Sequence, residues 1–320
     1  MFTYQNGIKL NNQPLWLDAT RIVENACVSH GHSDHIKKHR HIYATPATSS
    51  FVRRRLGRVK ITEVEFGKPF SVGHAQITFL PAGHILGSAQ IFVEKDGQSL
   101  LYTGDFNTQQ SLTAEPVQIH ECDTLIMECT FGYQKYRFPP RDELIGRLCD
   151  FAMKTLANGE IPLVFGYALG KAQEAMKILA DSGFRLCAHG SILHLAEVYK
   201  KYGIDFGDVV KFNASNAADN RVIVLPPQAR KNRQVQRLER TRSVFLSGWG
   251  MDASARFRYG VDEVIPLSDH ADFDGLLEYI RLVNPKKIYT THGPKDYYIY
   301  LRSLGYDAYP LKQAKQEELF

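Results

Sequence analysis

Apolar and polar residues alternate with a period of two through most of the first 130 positions. "IKLNNQPLWLDA" predicts two strands around an Asn-Asn turn. "ITEVEFGKPFSVGHAQITFLPAG" and "QIFVEKDGQSLLYTGD" alternate in the same way between Gly-containing turns, and "EKDGQS" carries the Asp-Gly signal of a tight hairpin. "TPATSSFVRRRLG" predicts a short capped helix, and "CDTLIMECTFG" a buried strand ending in a loop. After Pro139-Pro140 the period changes. "RDELIGRLCDFAMKTLANG" is amphipathic at helical spacing and closes on Gly159. "IPLVFGY" reads as a buried strand, and "ALGKAQEAMKILADSG" as a helix with Ala172, Met176 and Leu179 on one face. The alternation continues through "RLCAHGSILHLAEVYKKYG" and "RVIVLPPQA", which implies βαβ units and a parallel sheet. "TRSVFLSGWG" and "EVIPLSDHADFDGLLEYIRLVNPKKIYTTHG" then resume strands with polar residues at their C-terminal ends. The pattern predicts a strand-rich domain, residues 1–159 and 246–320, interrupted by an α/β insertion at 160–245.

Composition narrows the class. With 320 residues, 44% hydrophobic and 23% charged, the chain is globular rather than fibrous or disordered. No apolar run approaches the ~20 residues of a membrane span, and the N-terminus lacks a signal-peptide pattern. These features lead us to expect a soluble, cytoplasmic protein with no membrane partner. Five cysteines without a CxxC pair indicate neither a disulfide framework nor a thiolate zinc site. The net charge of +5 is mild, but basic residues cluster in "KKHRH" (37–41), "RRRLGRVK" (53–60) and "RKNRQVQRLERTR" (230–242). Such clusters either hold phosphates or form solvated faces.

The chemistry lies in the histidines. In "HGHSDH", His30 and His32 share a face of an extended segment and can grip one ion. Asp34 and His35 can turn toward a second. Imidazole with carboxylate suits zinc or manganese. His84 follows a strand, and Asp105 and His292 end strands, as a site at one sheet edge requires. Single histidines of this kind commonly cap strands; the set together points to metal.

The ordered residues Asp18, His30-Gly-His32-Ser-Asp34-His35, His84 and Asp105 resemble those of the metallo-β-lactamase fold hydrolases. "LIMECTFG" with Glu128, "LSDHAD" with His270 and "THG" with His292 resemble motifs A, B and C of the β-CASP nucleases. "PAGHILGSAQ", "FGYALGKAQEA" and "LSDHADFDGLL" are similar to segments of the bacterial DNA ligase-associated exonuclease group. The resemblance implies an α/β fold: a metallo-β-lactamase αββα sandwich with an inserted α/β β-CASP domain. It assigns His30, His32 and His84 to one divalent ion and Asp34, His35 and His292 to another. Asp105 would bridge them, and Asp18 would orient the ligand loop. His270, oriented by Glu128, becomes the candidate general acid.

The implied activity is two-metal cleavage of nucleic acid by a DNA exonuclease working in repair with a DNA ligase and a helicase. Single-stranded DNA is the expected substrate. Histidine at motif C keeps an RNA-processing ribonuclease open, and the scaffold alone would also serve a small-molecule metallo-hydrolase. Lys171, at a predicted helix start, and the basic residues Arg230, Lys231 and Arg233 are candidate phosphate contacts. For Lys171, mere solvation of the helix end is the other reading. Trp249 could stack on a base but reads better as core. Gln316, Leu319 and Phe320 in "QEELF" resemble a sliding-clamp peptide, or form a frayed acidic tail.

Overall fold

Strand-forming residues at alternate positions build two facing sheets. The computed structural model describes residues 1–213 and 220–312, so the clamp-like "QEELF" lies outside the described residues. The first sheet runs in sequence order: β1 (Phe2–Tyr4), β2 (Ile8–Leu10), β3 (Trp16–Leu17), β4 (Asn25–Cys27), β5 (His41–Ala44) and β6 (Ile61–Glu63). The second contains β7 (Phe70–Val72), β8 (Ala75–Pro81), β9 (Ala89–Lys95), β10 (Gln98–Tyr102), β11 (Thr124–Glu128), β18 (Lys287–Thr291) and β19 (Ala308–Pro310). Its spatial order is β19-β18-β11-β10-β9-β8-β7. The Asp-Gly turn forms: Lys95 pairs with Gln98, and Asp96 and Gly97 have φ of 52° and 72°.

Four layers result. Leu10, Leu17 and Cys27 of the first sheet pack with Ile77, Phe79, Ile91, Leu100 and Ile126 of the second. Helix α1 (Pro46–Leu56) covers the first sheet through Val52, which joins Val28, Ile42 and Ala44. Thr45 caps it by accepting from Thr48 N–H, and the chain stops at Gly57. On the far side, α7 (Phe273–Val283) and α8 (Tyr297–Ser303) bury Leu276, Ile280 and Leu301 with Leu101, Leu125 and Ile288. The αββα order is the expected one.

The chain divides into two compact units: Met1–Gln110 with Ala114–Gln134 and His270–Phe320, and Lys135–Asp269 with Ser111–Thr113. The second holds a six-stranded sheet, parallel throughout. Its strands are β12 (Ile161–Phe165), β13 (Leu186–Ala188), β14 (Val209–Lys211), β15 (Val222–Leu225), β16 (Thr241–Leu246) and β17 (Glu263–Ile265). Its helices are α2 (Arg141–Ala157), α3 (Lys171–Asp181), α4 (Gly190–Lys201), α5 (Arg233–Gln236) and α6 (Ala255–Tyr259). The unit extends beyond 160–245 because β17 pairs with β16 and α2 packs on β12. Among the described residues no helix is long and apolar enough to cross a membrane.

Candidate metal centre

Strand direction assembles the site within the first unit. β10, β11 and β18 are parallel neighbours, so Asp105, Glu128 and His292 leave the sheet at one edge. β9 runs antiparallel to β10, so the loop before it brings His84 to that same edge. From the first sheet, β4 delivers His30, His32 and His35. Two glycines permit this crowding. A Cβ on Gly31 would lie 2.8 Å from Phe51 Cβ, and one on Gly293 would lie 2.0 Å from the Cys129 carbonyl oxygen.

Among the close donor groups of the described residues, two hold the motif ligands and share Asp105. In His30–His32–His84–Asp105 and in His35–Asp105–His292, the ligand-type atoms lie within 4.8 Å of one another. His32 Nδ1 is 3.1 Å from both His30 Nε2 and His84 Nε2. Asp105 Oδ2 is 3.4 Å from His30 Nε2 and 3.8 Å from His84 Nε2. Donors around a tetrahedral ion with bonds of ~2.0 Å stand ~3.3 Å apart, so the residues fit such an ion. Converging ring nitrogens would otherwise face one another's lone pairs or protons. Burial, reinforced by His35, His84 and His32, holds the His30 pKa well below the usual imidazole range, which favours its neutral, ligating form.

Outer bonds aim the rings. Ser29 Oγ lies 2.9 Å from His30 Nδ1, leaving Nε2 for the cluster. Asp18 accepts from Ser29 N–H at 2.8 Å, from His35 Nδ1–H at 2.7 Å and from the Tyr102 hydroxyl at 3.0 Å. Burial opposes charge on His35, but Asp105 and Asp18 outweigh it and raise its pKa to about 10. Burial likewise opposes the Asp18 carboxylate, and His35 with its hydrogen bonds overcomes that. Sequence reasoning missed Ser29 and Tyr102. Tyr102 sits at an apolar strand position and carries no motif signal.

His270 Nδ1 lies 2.7 Å from Glu128 Oε1, and its ring centre is 4.6 Å from that of His84. The Glu128 carboxylate also accepts from Phe106 N–H at 3.2 Å and Thr130 N–H at 2.9 Å. Burial pushes its pKa up, but His270 and the bonds from Thr130 pull it below the usual range. His292 follows β18 with φ of 50° and is half exposed, its Nδ1 4.0 Å from Asp105 Oδ1.

Three groups of sequence candidates sit differently. Asp34 belongs to neither donor group among the described residues; its side chain is 78% exposed, with Oδ2 3.8 Å from His35 Nε2. Lys171 is not a solvated helix end. It is 2% exposed, with Nζ 3.2 Å from Asp269 Oδ1 inside the second unit. Arg230 and Lys231, at the end of a short turn after β15, and Arg233, at the start of α5, are exposed, and Arg230 donates to the Tyr259 carbonyl.

An αββα sandwich with histidines and an aspartate gathered at its strand ends defines a metallo-hydrolase type of centre. Residues 9–156 match the "Beta-lactamase superfamily domain", and residues 254–312 match the "Zn-dependent metallo-hydrolase RNA specificity domain". A protein named "Probable DNA ligase" from Opitutus terrae is 36% identical over 320 residues, 99% of this chain and 31% of the relative. An "RNase J-like protein" from Methanocaldococcus jannaschii is 33% identical over 219 residues, 57% of this chain and 51% of the relative. An "Uncharacterized protein in lig 3'region" from Acidianus ambivalens is 31% identical over 144 residues, 44% of this chain and 99% of the relative. This chain thus spans about a third of the first relative and half of the second. The chain belongs to the metallo-β-lactamase superfamily, in its β-CASP family. Use of a divalent metal goes with that membership.

Proposed function

We propose that this chain is a two-metal phosphodiesterase that cleaves DNA from an end and works in repair beside a DNA ligase. The observation that carries the reading is the Glu128–His270 pair at 2.7 Å, adjoining the His84 ring of the donor cluster. The leaving sugar oxygen of a phosphodiester needs a proton, and this pair is placed to give one. His30, His32 and His84 would hold one ion and His35 and His292 the other, with Asp105 shared and Asp34 kept on the side of the second. Zinc or manganese ions held there would lower the pKa of water and neutralise charge on the phosphoryl oxygens. Glu128 fixes the Nδ1 side of His270, so Nε2 is the atom that hands a proton to the leaving sugar oxygen. The carboxylate also stabilises the imidazolium that carries that proton. Asp18 acts at one remove by holding His35 through Nδ1, so that Nε2 faces Asp105.

Similarity at 36% identity along 99% of this chain to part of a protein named "Probable DNA ligase" supports DNA as substrate and a ligase as functional partner. A helicase partner and a cytoplasmic location go with that reading. RNA is the second reading, favoured by the "RNase J-like protein" and by the RNA specificity domain over 254–312. The test is cleavage of 5′-labelled single-stranded DNA and RNA of one sequence, with Mn²⁺ or Zn²⁺ and His270→Ala as control. Mononucleotides from DNA alone are expected. Cleavage confined to RNA would reverse the assignment, and internal fragments would replace an exonuclease by an endonuclease.

A further inference from the structure

We propose that α6 of the second unit carries a stacking platform for single-stranded nucleic acid, built from Arg256, Phe257 and Arg258. This rests on the nuclease reading and names where the strand is held. The helix has a plain division of faces. Ala255 is buried at 1% exposure, and the Tyr259 ring stacks on Phe245 at 4.3 Å, so positions i and i+4 anchor the turn. Gly260, in the left-handed region at φ 59°, ends it. The three residues between point outward, and Phe257 is 72% exposed. Each of two neighbouring rings carries an arginine: the Arg256 guanidinium carbon lies 4.5 Å from the Phe257 ring centre, and that of Arg258 lies 5.0 Å from that of Tyr259. Tyr167, half exposed, meets Phe245 edge-on at 6.2 Å, on the same ring that carries Tyr259. Arg230 joins the cluster by donating to the Tyr259 carbonyl.

Charge decides the occupant. Residues 135–269 hold 20 basic and 15 acidic side chains, so the chain's whole excess of +5 lies in this stretch. Aromatic rings interleaved with arginines accept bases on the rings and phosphates on the guanidinium groups, without regard to sequence. A duplex keeps its bases stacked and offers the rings nothing. The experiment measures affinity of the full chain for a fluorescent single-stranded oligonucleotide and for the same length of duplex, across a salt series. Phe257→Ala is expected to weaken single-strand binding ~5- to 150-fold, the range of one base–aromatic stack. Duplex binding is expected to move far less. Phe257→Trp restores affinity and Phe257→Leu does not. Arg256→Gln with Arg258→Gln lowers the salt slope by ~1.4, at ~0.7 per phosphate lost. Equal affinities of wild type and Phe257→Ala for the single strand overturn the platform. So does a concentration-dependent dimer that Phe257→Ala dissociates while strand binding is unchanged. Hydrolysis of bis(p-nitrophenyl) phosphate by the wild type tests the nuclease reading separately, since that substrate has no base to stack.

Discussion

Lys171 gives the sharpest quantitative expectation. Its ammonium is buried in the second unit, 3.2 Å from Asp269 Oδ1. Burial pulls its pKa below the ordinary lysine value, and Asp269 opposes that pull. At an effective dielectric of ~20, the direct attraction at this separation is about 5 kcal/mol, much of it cancelled by the dehydration of both groups. Lys171→Met removes the attraction and leaves the aspartate behind. Breaking a buried pair by deleting one partner costs ~3–5 kcal/mol. The Asp269 side chain keeps 19% exposure, which places the loss near the lower end, about 3 kcal/mol. With a shift of ~2–4 °C per kcal/mol, melting should fall by about 6–12 °C. Adding Asp269→Leu replaces the pair by apolar groups and should recover most of that loss. The assays are thermal and urea unfolding, with the salt dependence of single-strand binding measured alongside. A Lys171→Met protein that melts with wild type but loses ~0.7 from the salt slope would refute the reasoning and make Lys171 a phosphate contact.

Other expectations follow from the same geometry. His270→Ala should retain its metal content and lose ~10²- to 10⁴-fold in turnover, the range for a general acid; wild-type turnover in a fully metallated variant would remove the role. Asp105 belongs to both donor groups, so Asp105→Asn should lower bound metal for both sites as read by elemental analysis; unchanged stoichiometry would break the shared-ligand assignment. His39 is buried, accepts from Val23 N–H through Nδ1, and is held by burial to a pKa of about 4 against 6.5 unfolded. The unfolded chain therefore takes up this proton first, and the contribution to stability, full above pH 6.5, is lost as pH falls toward 4. His39→Asn, which keeps an acceptor near the Nδ1 position, should flatten that slope in urea titrations at pH 7, 5.5 and 4.5; identical slopes would contradict it.

Local signals carried much of the architecture. The Asp96-Gly97 turn, the Thr45 cap and the amphipathic α2 are short-range devices, and each is visible in a few residues. The "HGHSDH" stretch was legible as metal chemistry because its spacing is unusual. What brings His84, Asp105, Glu128, His270 and His292 beside it is strand direction over nearly the whole chain, which residue patterns alone do not encode; family resemblance supplied it. Solvation of the helix end, one of the two readings of Lys171, failed for a related reason. A lysine at a helix start looks solvated until a partner 98 positions away, Asp269, is seen to meet it. The limits of the second unit were hidden in the same way, since β17 joins its sheet by pairing alone, across the intervening α6. Asp34 shows the opposite case. Its place in the motif is clear in sequence, yet among the described residues its exposed side chain enters neither donor group and comes no nearer than 3.8 Å to His35 Nε2.

The central claim is that these histidines and Asp105 form a metal-dependent phosphodiester-cleaving centre. The most direct measurement is the cleavage rate of a 5′-labelled single-stranded DNA by chelator-stripped protein, before and after Mn²⁺ or Zn²⁺ is returned, with Asp105→Asn in parallel. No cleavage by the stripped protein, recovery on adding metal, and no recovery in Asp105→Asn is the expected result. Undiminished cleavage after stripping, or a fully metallated wild type that cleaves neither this DNA nor its RNA counterpart, would contradict it.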